Sequence, residues 1–166
     1  MITQVVVGLS DIQVIQGGGA LSVEGIGSGV GIVAFDPVAK VGGAANVLLP
    51  NSKGQQVDQP GRYADTACKE LLEMMGRLGA DPTRVVAVVV GAAALFSGDQ
   101  ESVVNFGKRT ATTVRQVLEA QGATIVKDQI GGQAGRVLSL DLGTGNVTVQ
   151  TANSVAQTLC SLKEAA

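Results

Sequence analysis

The run Val85-Val86-Ala87-Val88-Val89-Val90 constrains the fold more than any other segment. A continuous stretch of apolar, mostly β-branched residues reads as a strand covered on both faces, because a strand with one wet face alternates. Even continued through Gly91 to Phe96, it is too short to span a bilayer. Such a strand needs a layer on each side. Aromatic residues make up only 2% of the chain and glycine supplies 23 of its 166 residues, so Val, Ala, Leu and Gly must build those layers. Small side chains let neighbouring layers approach closely.

The rest of the pattern supplies the layers. Val5-Val6-Val7, Ile12 to Ile15 and Ile32 to Phe35 are short β-rich runs, the last closed by Asp36-Pro37, and Gly17-Gly18-Gly19 is a turn. Val47 to Leu49 reads as a further strand stopped by Pro50, and residues 51–61 as a polar surface loop. Ala64, Ala67, Cys68, Leu71, Met75 and Leu78 recur at spacings of three and four. They predict a helix with Cys68 on its inward face and Gly79 as its C-terminal cap. A second helix is expected from about Asp99–Ser102 to Gly122, its inward stripe running through Val103, Phe106, Thr110, Val114, Val117 and Gln121. Then come a strand near Thr124–Lys127, a turn at Gly131-Gly132, and a hairpin of Val137–Leu142 and Val147–Thr151 joined through Gly143-Thr144-Gly145-Asn146. Ser154 to Lys163 carries Val155, Leu159 and Leu162 at helical spacing. The sum is one α/β (α+β) domain over 1–166, with mixed sheets packed on two or three helices.

Composition narrows function by exclusion. With 45% hydrophobic and 16% charged residues the chain is globular rather than disordered. At a net charge of -2, with no basic cluster and few aromatics, nucleic acid is not an expected partner. The first residues lack the basic start of a signal peptide, so a cytoplasmic location without membrane insertion is expected. Two cysteines, Cys68 and Cys160, make neither a disulfide framework nor a metal site, and no metal or other cofactor is expected. Gly25, Gly27, Gly29 and Gly31 alternate and no triple fits a dinucleotide loop. Gly107-Lys108 is followed by Arg109, which rules out a Walker-type phosphate loop. The chain has no histidine at all, so a Ser-His-Asp triad cannot exist.

Several short segments, in order, carry a family resemblance. They are Leu21-Ser22-Val23-Glu24-Gly25-Ile26-Gly27-Ser28-Gly29-Val30, Phe35-Asp36-Pro37, Gly42-Gly43, Leu48-Leu49-Pro50, Arg62-Tyr63-Ala64-Asp65 and Gly91-Ala92-Ala93-Ala94-Leu95. Asn105-Phe106-Gly107-Lys108-Arg109, Gly131-Gly132-Gln133-Ala134-Gly135-Arg136 and Thr144-Gly145-Asn146-Val147 follow. Together they resemble CheD, the chemoreceptor glutamine deamidase family. The resemblance implies hydrolysis of a glutamine side chain on a receptor helix. A cysteine would attack, a histidine would activate it, and a threonine would orient the histidine.

In this chain the positions matching those three residues are Gly29, Asn46 and Val23. Glycine has no nucleophile, asparagine is no base at neutral pH, and valine lacks the hydroxyl. The resemblance therefore implies a family member without deamidase chemistry that acts by binding, with Gly27, Ser28, Gly29 and Asn46 as the partner-binding pocket. Expected partners are chemoreceptor cytoplasmic helices or a CheC-type phosphatase. Two alternatives stand beside it: an altered amidohydrolase using Ser28 or a thiol, and a scaffolding protein outside chemotaxis.

Overall fold

The structure is a computed structural model that describes residues 3–94, 101–152 and 154–165. Leu95, Phe96 and the expected helix start at Asp99 lie outside the described residues, as do the side chains of Val103 and Asn105. Among the described residues, ten strands form two five-stranded mixed sheets. One has the order β1 (Gln4–Val7), β3 (Ala20–Ile26), β8 (Arg136–Asp141), β9 (Asn146–Thr151), β10 (Gln157–Ser161). The other has the order β2 (Ile12–Gln16), β5 (Val41–Val47), β4 (Val30–Asp36), β6 (Val86–Gly91), β7 (Thr124–Ile130). The helices α1 (Ala64–Arg77) and α2 (Glu101–Ala120) lie on the second sheet, and a short α3 (Leu162–Ala165) closes the chain.

The result is three layers: helices, inner sheet, outer sheet. Strand β6 is buried along its whole length between β4 and β7, as the unbroken apolar run requires. Its odd-numbered residues Ala87 and Val89 join Leu71, Met75 and Leu118 under the helices. Its even-numbered residues Val86, Val88 and Val90 join Leu21, Val23, Leu138 and Leu140 between the sheets. Helix α1 ends where expected: the Gly79 amide donates to Gly76 O at 3.0 Å, and Gly79 has φ +101.

Strand β5 departs from the sequence reading. It covers Val41–Val47 rather than Val47–Leu49, and Leu48 and Leu49 instead donate their amides to Arg62 O. Its Gly-Gly-Ala-Ala core has little strand propensity, but both faces need small residues. A Cβ on Gly43 would stand 2.6 Å from Leu71 Cδ1 of α1, and one on Gly42 would stand 2.6 Å from Leu142 Cδ1. These two glycines set the spacing of all three layers.

Three other expectations are corrected. The inward line of α2 runs Gly107, Thr110, Val114, Leu118, while Phe106 is 45% exposed; at Gly107 the helix lies so close to its neighbours that a Cβ would meet Ala92 Cβ at 2.9 Å. The segment expected as a terminal helix is mostly strand β10, and only Leu162 onward is helical. A register shift between Thr158 and Cys160 breaks the two-residue alternation and mimics helical spacing. Strand β3 was not anticipated, since Glu24-Gly25 interrupts its apolar pattern; the register with β8 shifts there and Gly25 has φ +72.

Candidate functional site

The turn Gly27-Ser28-Gly29 joins β3 to β4, with Gly27 half-buried, Ser28 exposed and Gly29 buried. Beyond it the β4–β5 register places Val30 opposite Val47 and Gly31 opposite Asn46. Asn46 shares the inter-sheet face of β5 with Ala44, and it is completely buried. Its Nδ2 donates to Glu24 O at 2.8 Å, while its Oδ1 has no hydrogen-bond partner among the described residues. Val23 is also fully buried, its Cγ1 3.5 Å from where a Cβ on Gly31 would stand. The fold thus gathers Val23, Gly29 and Asn46 at one end of the inter-sheet space. Asn46 turns inward rather than toward solvent.

The glycine at position 29 is more than a missing side chain. A Cβ added there would lie 2.5 Å from Val47 O, a backbone atom, so any larger residue requires the turn or the end of β5 to move. The Gly27 and Gly29 carbonyls are tied down by the residues that follow β6: the Ala92 amide donates to Gly29 O at 2.8 Å and the Ala93 amide to Gly27 O at 3.0 Å. Ala92 holds φ +56, an uncommon conformation for a residue with a Cβ. Gly107 of α2 presses on the same place, since a Cβ there would meet Ser28 O at 2.8 Å. Among the described residues, the Ser28 and Gly29 amides donate no hydrogen bond. A fixed, partly exposed turn whose N–H groups have no acceptor among the described residues can donate to a carbonyl or carboxamide oxygen, as an oxyanion hole does.

Neither thiol is near. Cys68 faces the helix side of the inner sheet, opposite to Asn46. Burial, helped by the nearby Asp65 charge, pushes its thiol up to about 12, the reverse of nucleophile activation. Cys160 sits on β10, at the edge of the outer sheet, three strands from β3. Burial raises its pKa too, with Lys127 opposing the shift. Among the described residues, no hydrogen bond reaches the Ser28 hydroxyl. No group of three or more Cys, Asp or Glu side chains is gathered for a metal among the described residues.

Against this geometry the comparisons with known proteins are informative. The family model for CheD, described as chemotactic sensory transduction, matches residues 48–151. The chain belongs to the CheD family. It is 37% identical over 153 residues to the probable chemoreceptor glutamine deamidase CheD of Desulforamulus reducens, covering 91% of this chain and 92% of that relative. It is 38% identical over 130 residues to the corresponding Methanococcus vannielii protein, covering 78% and 84%. To the chemoreceptor glutamine deamidase CheD of Thermotoga maritima it is 35% identical over 145 residues, covering 87% and 90%. The CheD family model begins at Leu48, so Val23, Gly29 and Asn46 lie outside the region it matches.

Nothing in the sequence singles out Ala92, Gly107 and Arg136 as neighbours of this turn. The structure puts all three around it.

Proposed function

We propose that this CheD-family chain no longer deamidates glutamine and works by binding a protein partner, in the cytoplasm, through the Gly27–Gly29 turn. The observation that carries this reading is the turn itself: its Gly27 and Gly29 carbonyls are fixed, its Ser28 and Gly29 amides donate no hydrogen bond among the described residues, and Gly29 supplies no thiol. The relatives are named for acting on chemoreceptor glutamines, so a receptor helix presenting a glutamine side chain is the first partner to test. The amide oxygen of that glutamine suits the Ser28 and Gly29 N–H groups. A CheC-type phosphatase is the second partner. The closed space at Gly29 adds to the chemical argument, because the nucleophile is absent and its room is taken as well.

Titrating a labelled receptor cytoplasmic fragment, and separately a CheC-type protein, against the chain tests the proposal. Saturable binding of either one, lost when the receptor glutamine is replaced by alanine, is expected. Failure of both to bind at high micromolar concentration overturns it.

A further inference from the structure

The segment Gly131-Gly132-Gln133-Ala134-Gly135-Arg136 ends in a cation that the fold treats unusually. Arg136 is only 8% exposed, and among the described residues it has no carboxylate within ion-pair distance. Burying a guanidinium without a counter-charge is costly unless backbone carbonyls solvate it. Here they do: Nη1 donates to Gly91 O at 2.9 Å and Nη2 donates to Gly131 O. The glycines make the room, because a Cβ on Gly132 would stand 2.9 Å from Nη2. Gly131 and Gly132 also hold positive φ, which bends the chain past β7 toward β8.

We infer that Arg136 is a positioning residue for the Gly27–Gly29 turn. Its planar fork clamps the end of β6 to the end of β7, where the Gly131 amide also donates to Gly91 O at 2.8 Å. The next residues of the clamped strand are Ala92 and Ala93, whose amides hold Gly29 O and Gly27 O. Ala94 returns to Gly132 O at 2.9 Å, closing the loop on the same turn. Arg136 therefore acts two hydrogen bonds from the turn without touching a ligand. That the positioning serves recognition rests on the binding reading above; the clamp itself does not.

The test is amide hydrogen exchange on wild type, Arg136→Met and Arg136→Lys, with receptor-fragment affinity measured in parallel. Methionine keeps the apolar stem and removes the fork. Exchange at Ala92 and Ala93 is expected to quicken by about tenfold or more, with Val33 and Ala44 in the sheet interior unchanged. Lysine, a point donor able to serve one carbonyl, should fall between. Affinity should weaken in the same order. Unchanged exchange at Ala92 and Ala93 overturns the inference, as does an equal rise at Val33 and Ala44, which marks a general loss of stability. Should the methionine variant not fold, the lysine variant decides by the same amides. If wild type binds no fragment, the binding reading fails while the exchange data still decide the clamp.

Discussion

The two ends of strand β4 follow opposite rules. At the Asp36 end a fully buried carboxylate accepts from the Val38, Ala39 and Asp81 amides at 2.9, 3.2 and 2.9 Å and from Arg84 Nε at 3.1 Å. Arg84 Nη2 adds an ion pair at 2.9 Å. At the Gly31 end, the register aligns Asn46, Gly31, Val90 and Gln129 in one row across the inner sheet. Arg136 pairs with Ile26, whose side chain covers Gly31. Among the described residues, the buried polar atoms without partners are Asn46 Oδ1, Gln129 Oε1 and Arg136 Nε, all at this second end. Unpaired buried polar atoms are few in folded proteins and each is costly. One end of the strand is built to hold the fold. The other carries that cost where the family resemblance places chemistry.

Substitutions can break this contrast. The largest effect is expected at Asp36: Asp36→Ala should cost about 3 kcal/mol in urea unfolding, near the low end for a broken buried pair because Arg84 is partly in water. Burial alone would raise the Asp36 pKa, but the donors from Arg84, Asp81, Ala39 and Val38 outweigh it and hold it below the usual carboxylate value. A depressed folded pKa gives stability that is fully present above about pH 4 and lost as pH falls through the folded value. The wild type should therefore show a steeper acid limb than Asp36→Ala, and equal slopes would contradict the assignment.

Next in size is Gly29→Ala, expected to cost about 1–3 kcal/mol through the contact with Val47 O. A neutral result would mean the turn yields easily and has room for a larger side chain at position 29. Asn46→Ala should cost about 1 kcal/mol, less than Asp36→Ala, since only one of its two polar atoms is bonded. The smallest effect is expected for Val23→Thr, within about 0.5 kcal/mol if the new hydroxyl reaches the unpartnered Asn46 Oδ1 at the same end of the inter-sheet space. Val33→Thr, between the same sheets but away from the unpaired atoms, should cost about 1–3 kcal/mol. Equal costs at the two valines would remove the distinction between the two ends.

Much of the scaffold was legible in the chain. Val86 to Val90 announced a doubly covered strand, the 64–78 periodicity announced α1, and Gly79 announced its end. Strand β5 was hidden because Gly42 and Gly43 are chosen for what lies against them, Leu142, Leu71 and Met75, and not for strand propensity. The phase of α2 was displaced for a related reason, since Gly107 packs closer than any apolar side chain. At the site, positions 23, 29 and 46 were legible only through family resemblance. The filled space at Gly29, the unpaired Oδ1 of Asn46 and the Arg136 clamp arise between segments far apart in sequence, where no local pattern records them.

On the proposed reading the CheD scaffold is kept and its chemistry is gone. The most direct measurement is the intact mass of a glutamine-bearing receptor fragment after prolonged incubation with this chain. An unchanged mass is predicted, even with every fragment bound. The small gain of an amide becoming a carboxylate, absent when Ser28→Ala replaces the wild type, would contradict the account.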